Sequence, residues 1–165
     1  MNNFITTAEV FEIAVNRTVS TGLIKPTQII AAEEVWFEDI LDDDFAALIR
    51  ENKDGVYDDL IEDYIKPVIA WGTIYNNFDY ISMNITDKGI IQMLVEGTAN
   101  LVGRDSRIDA RNEIKHTVHI LVNRLFKYCE KKKSDNDVNY ELFDYKYQPS
   151  AIVFYGSDRQ NLRPI

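Results

Sequence analysis

Apolar positions recur at helical spacing from Val10 to Cys129. Val10, Phe11, Ala14 and Val15 share one side of a short helix, and Thr6 to Glu9 ahead of it reads as a capping box. "STGLIKPTQ" interrupts the pattern. Gly22 can take a positive φ, and Pro26 suits a helix's first turn but not its middle. Pro26 to Phe37 is a second amphipathic stretch, with Ile29, Ile30, Glu33, Glu34 and Phe37 at spacings of three and four. Asp42, Asp43 and Asp44 then place negative charge at the start of another short helix, whose apolar face is Phe45, Leu48 and Ile49. Asn52 to Gly55 is a turn.

Tyr57 to Phe78 predicts a long helix. Leu60, Tyr64, Val68, Trp71 and Tyr75 lie on one face, and Ile61, Ile65, Ile69 and Ile74 widen it. Apolar residues over so much of the circumference predict burial on more than one side, with Asp58, Asp59, Glu62 and Asp63 left as the wet edge. Pro67 removes a backbone donor and predicts a kink. Asn76 and Asn77 end the helix. Ile81, Met83 and Ile85 then alternate as in a strand, Thr86 to Gly89 fits a turn, and Ile90 to Leu94 reads as the returning strand. A lone hairpin is marginal in water, so this one predicts a neighbouring surface that completes it.

After a loop holding Gly97 and Gly103, Ser106 to Lys132 predicts a second long helix. Its apolar stripe is Ile114, Val118, Leu121, Leu125 and Tyr128 or Cys129. Arg104, Arg107, Arg111 and Lys115 oppose the helix dipole at its start, while Lys127 and Lys131 to Lys133 complement it at its end. The tail is aromatic without helical period, and Ala151 to Tyr155 is its strand candidate. The expectation is a mainly α fold: a small helical bundle over residues 1–133, a projecting β-hairpin near 80–94, and an extended C-terminal arm over 134–165.

Length and composition agree with one folded domain, since 165 residues with 45% hydrophobic content can bury a core. The net charge of −9 opposes a free-standing DNA binder, whose phosphates need clustered Lys and Arg. It is compatible with protein partners, or with a channel lining along which DNA passes without sticking. With Cys129 alone, no intrachain disulfide can form. The start of the chain does not read as a signal peptide and no apolar run reaches bilayer length, so a protein made and assembled in cytoplasm is expected.

Candidate chemistry is sparse. His116 and His119, near Glu113, offer two metal ligands without a placed third, and surface or interface roles suit them better. The clusters Asp42–Asp44 and Asp58, Asp59, Glu62, Asp63 do not converge as a two-metal site requires, and helix-start charge and a wet face account for them. Gly97 and Gly103 lack the Lys and Ser/Thr of a phosphate loop, Cys129 lacks a nucleophile's flanking pattern, and Ser20, Ser82, Ser106 and Ser150 lie in no nucleophile elbow. Lys131, Lys132 and Lys133 with Arg124 and Lys127 form a basic patch that could meet DNA or an acidic protein surface, or simply be a solvated helix end. No cofactor is expected, and the chain does not read as an enzyme.

The order of elements is similar to a known pattern. "IAAEEVWFEDILDDDFAALI" leads one helix through a short loop into a Phe-containing helix, and "WGTIYNNFDYISMNITDKG" is the most specific segment. With "RNEIKHTVHILVNRLFKYCE", these resemble the head-tail connector (adaptor) proteins of tailed bacteriophages, closest to those of phages of Bacteroidetes hosts, including the crAss-like group. The resemblance covers about residues 4–132. It implies a structural virion protein at the head-tail interface, forming a ring (a dodecamer) with copies of itself. Its other partners would be the portal protein and a downstream tail or ring protein, with DNA passing through the lumen unbound and no membrane involved. Ring closure needs two different patches per subunit. The candidates are Trp71, Tyr75, Phe78, Ile81, Met83 and Ile85 in the helix and hairpin, and Phe143, Tyr147, Ile152, Phe154 and Tyr155 in the arm. The other reading is a small helical adaptor or regulatory protein of the host, using its Tyr-rich surface.

Overall fold

A computed structural model describes residues 3–15, 24–52, 54–84, 104–144 and 146. The described residues are mainly helical. Helix α1 spans Thr7–Val15, α2 Pro26–Glu33, α3 Asp43–Glu51, α4 Asp58–Leu60, α5 Lys66–Asn76, α6 Phe78–Asn84 and α7 Arg104–Ser134. Single π turns, Glu34–Glu38 and Ile61–Ile65, extend α2 and join α4 to α5. A 3-10 turn, Val138–Tyr140, follows α7.

The local signals act as the sequence predicts. Thr6 N donates to Glu9 Oε2 at 2.8 Å and Glu9 N donates to Thr6 Oγ1 at 3.3 Å, closing the capping box. Pro26 opens α2, where Gln28 Oε1 accepts from Lys25 N at 2.7 Å. Asp42 caps α3 by accepting from Asp44 N at 3.0 Å. In the turn that follows, Asn52 and Gly55 take positive φ, and Asn52 Oδ1 accepts from Tyr57 N.

Helix α5 is the axis of the core. Val68, Ile69, Ala70, Gly72, Thr73, Ile74 and Tyr75 are all buried, covered by α1, α2 with its π turn, and α7. Gly72 is needed for one of these contacts, because a Cβ there would overlap the indole of Trp36. Pro67 is accommodated by the π turn directly before it. That turn bonds each amide one residue further back, so the ladder is already interrupted where Pro67 lacks a donor. Helix α7 runs 31 residues, about 46 Å, and lays Ala110, Ile114, Val118, Val122, Leu125, Phe126 and Cys129 against this axis.

Two expectations change. The segment predicted as the hairpin's first strand is helical through Asn84, so the strand reading of Ile81 and Met83 is overturned. Asn77 ends α5, with Asn77 Nδ2 donating to Thr73 O at 2.8 Å. The chain then restarts as α6, burying Phe78 and Ile81 one turn apart and leaving Tyr80 exposed. Alternation over six residues is compatible with either period, and the packing of Phe78 and Ile81 selects the helical one. Ile85 and the rest of the predicted hairpin lie outside the described residues.

The predicted arm also begins later than 134. Tyr140 and Phe143 are buried in the domain core. Asp42 N donates to Asp144 O at 3.1 Å and Lys146 N donates to Ile40 O at 3.2 Å, tying the segment to the α2–α3 connection. The aromatic rings drive this, since burying one Tyr or Phe outweighs the order imposed on a short connection. The arm beyond 146 lies outside the described residues.

Candidate docking groove on the last long helix

The C-terminal half of α7 has two unlike faces. Val122, Leu125, Phe126 and Cys129 are buried, while Arg124, Lys127 and Lys131 recur at spacings of three and four on the exposed side. Tyr128 stands at the boundary and stacks on Tyr64, with ring centroids 4.3 Å apart and planes 28° from parallel. Tyr64 comes from the π turn that also accommodates Pro67. Tyr64, Arg124, Lys127, Tyr128, Lys131, Lys132 and Asp135 line an open groove of about 520 Å³.

The ring pair is surrounded by charge. The Arg124 guanidinium lies 6.0 Å from the Tyr64 ring centre and Lys132 Nζ lies 5.7 Å from that of Tyr128. Tyr128 also meets Tyr140 edge-on at 6.0 Å. Burial, together with a hydrogen bond to Tyr128, pushes the Tyr140 hydroxyl well above its ordinary value, so it remains a neutral donor. Tyr57 is raised by burial and donates to Asn139 O at 2.7 Å. Phe45 and Phe143 continue this aromatic cluster into the core.

Several of the other described cations are committed. Arg50 pairs with Glu33 and Glu38, Lys66 with Glu9 and Glu62, Arg111 with Asp79, Lys132 with Asp137 and Lys146 with Asp43. Arg124, Lys127 and Lys131 form no ion pair with a described carboxylate. Three cations without such a partner therefore converge on one groove of a chain with net charge −9. A second hollow, lined by Lys133, Asn136, Asp137, Val138 and Glu141, sets one cation against two carboxylates, whereas the groove sets Arg124, Lys127, Lys131 and Lys132 against Asp135 alone.

The sequence-predicted interface residues fall into three groups. Tyr75, Phe78, Ile81 and Phe143 are buried in the chain's own core, and Trp71 is half-buried against it. Met83 lies on α6. Ile85, Tyr147, Ile152, Phe154 and Tyr155 lie outside the described residues. The groove therefore gathers none of these candidates. It gathers the basic patch, together with two tyrosines that the sequence reading assigned to apolar faces. One local signal for them exists: Arg124, Tyr128 and Lys132 follow at i, i+4 and i+8 along α7.

The remaining candidates hold structural positions. His116 is exposed and His119 half-buried, and among the described residues no group of three or more His, Cys, Asp or Glu is placed to hold a metal. Asp42 caps α3, Asp43 meets Lys146, Asp58 accepts from Asn52 and Glu62 meets Lys66. Burial pushes the Cys129 thiol up to about 12, which removes the thiolate a nucleophile needs. No described helix is long and apolar enough to cross a membrane.

Residues 29–151 match DUF6712, described as a family of unknown function. The chain belongs to this family. No curated protein and no solved structure matches it. The DUF6712 match takes in α2 from Ile29 onward, α3 to α7 and every residue of the groove, and leaves residues 1–28 and 152–165 outside.

Proposed function

We propose that this DUF6712 chain is a docking subunit without catalytic chemistry: a component of a head-tail connector ring in a tailed bacteriophage. About twelve copies would sit between portal and tail, extend the DNA channel and receive the next tail component. The protein would be built in host cytoplasm and reside in the virion. DNA would traverse an acidic lumen that offers no sticking point. The arm beyond 146 would reach toward the portal. One observation carries the docking part of this reading: a basic, tyrosine-lined groove set into an acidic body, in which Arg124, Lys127 and Lys131 form no ion pair with a described carboxylate. The order of helices supports the connector part. A capped α1, an α2–turn–α3 unit carrying Phe45, a central aromatic helix and a long α7 follow in the sequence on which the resemblance rests.

Purified chain, alone and mixed with the portal protein of a phage that encodes it, tests the reading by mass photometry and negative-stain imaging. Closed rings are expected. A species that stays single in both preparations overturns it. One observation favours the alternative of a small helical adaptor: α5, expected to need neighbouring copies, is covered within one chain. Tight binding to one partner at one-to-one stoichiometry, without rings, would decide for the adaptor.

A further inference from the structure

We propose that the α7 groove binds an acidic protein segment, an extended or helical stretch of a different chain carrying at least two carboxylates. The inference rests on the docking reading above and names the chemistry of the partner.

Three observations select that occupant. The first is charge. Arg124, Lys127 and Lys131 line the groove in no ion pair with a described carboxylate, so an incoming carboxylate need not displace one. Arg offers a planar fork that matches a carboxylate, and the two lysines add point charges one turn apart, the spacing of acidic residues on a helix face. The second is the state of the rings. Tyr64 and Tyr128 already stack on each other, Tyr140 meets Tyr128 edge-on, and Arg124 and Lys132 lie over their faces. Single-stranded nucleic acid is held by bases stacking on free aromatic faces, and these faces are occupied. The rings instead hold the cations in place for a partner that brings charge alone. The third is the net charge of −9, which repels a polyphosphate chain or a second full copy more than a short segment with a few carboxylates.

The test is fluorescence anisotropy on the full chain at low salt. The probes are a labelled Glu-rich decapeptide, the same peptide with Gln for Glu, and a labelled oligothymidylate of equal charge. The Glu peptide is expected to bind and the Gln peptide is not. Arg124→Ala and Lys131→Glu should each weaken binding by about tenfold or more, while Lys25→Glu, the same charge change as Lys131→Glu at the residue that precedes α2, should change it by about twofold or less. All three side chains lie on the surface, and far-UV circular dichroism verifies that each variant is folded. Tighter binding of the oligothymidylate overturns the proposal, as does an equal loss in Lys25→Glu, no binding of the Glu peptide, or self-association of the chain abolished by Lys131→Glu. Rings with portal but no peptide binding would remove this inference and leave the connector reading standing. Peptide binding without rings would do the reverse.

Discussion

Arg50 and Lys131 are both cations near the end of a helix, and they do opposite things. Arg50 reaches into the domain, where its guanidinium meets Glu33 at 3.1 Å and Glu38 at 2.6 Å and lies over the rings of Phe4 and Phe37. Glu33 is 3% exposed, and its second oxygen accepts from Phe4 N at 2.8 Å. One cluster thus joins the N-terminal segment, α2 with its π turn, and α3. Every member has a partner, as a buried charge requires. Around Lys131 the cations and rings are arranged with comparable order, yet no carboxylate completes Arg124, Lys127 or Lys131 among the described residues. The first region uses charge to hold helices together. The second keeps its charge available at the surface.

The largest effect should come from breaking the Arg50 cluster. Glu33→Ala leaves Phe4 N without its acceptor and Arg50 with one carboxylate, and should cost about 2–4 kcal/mol in urea unfolding. A loss below about 1 kcal/mol would show that this buried charge contributes little. Gly72→Ala tests the neighbouring core by adding a methyl group where the Trp36 indole lies, and should cost about 1–3 kcal/mol with an unchanged denaturant slope. An unchanged midpoint would mean that the indole moves aside freely.

The pH dependence separates the two kinds of carboxylate. Burial raises Glu33 above 4.5 against the pull of Phe4 N and Arg50, so its contribution to stability is complete below pH 4.5 and is lost as pH rises through the raised native value. At Glu9 burial acts in the same direction, but hydrogen bonds from Thr6 and Lys66 outweigh it and the native value is lowered. Its contribution is present above 4.5 and is lost as pH falls through that value. Stability relative to wild type should therefore rise with pH for Glu33→Gln and fall with pH for Glu9→Gln. Parallel curves for the two variants would refute the assignment. The smallest effect belongs to the groove: Lys131→Glu should move the unfolding free energy by no more than about 0.5 kcal/mol. A larger destabilisation would make Lys131 part of the fold and erase the contrast with Arg50.

The capping box at Thr6 and Glu9, the helix-start charge at Asp42–Asp44, the turn at Asn52–Gly55 and the apolar stripes of α1, α5 and α7 were all legible in the chain, because each depends on residues within a turn or two of one another. The helical class follows from them. Tertiary packing decided the rest. Alternation at Ile81 and Met83 reads as a strand until Phe78 and Ile81 find the core together. Tyr140 and Phe143 read as an arm until Phe45, Tyr57 and Phe126 offer them a place. Glu33 reads only as one position of an amphipathic stretch until Arg50 and Phe4 N close around it. The groove needs Tyr64 and Tyr128 from opposite halves of the chain, brought together only when α7 lies along the π turn. Contacts between residues distant in sequence leave no local period, so the pattern that names a helix cannot say what will lie beside it.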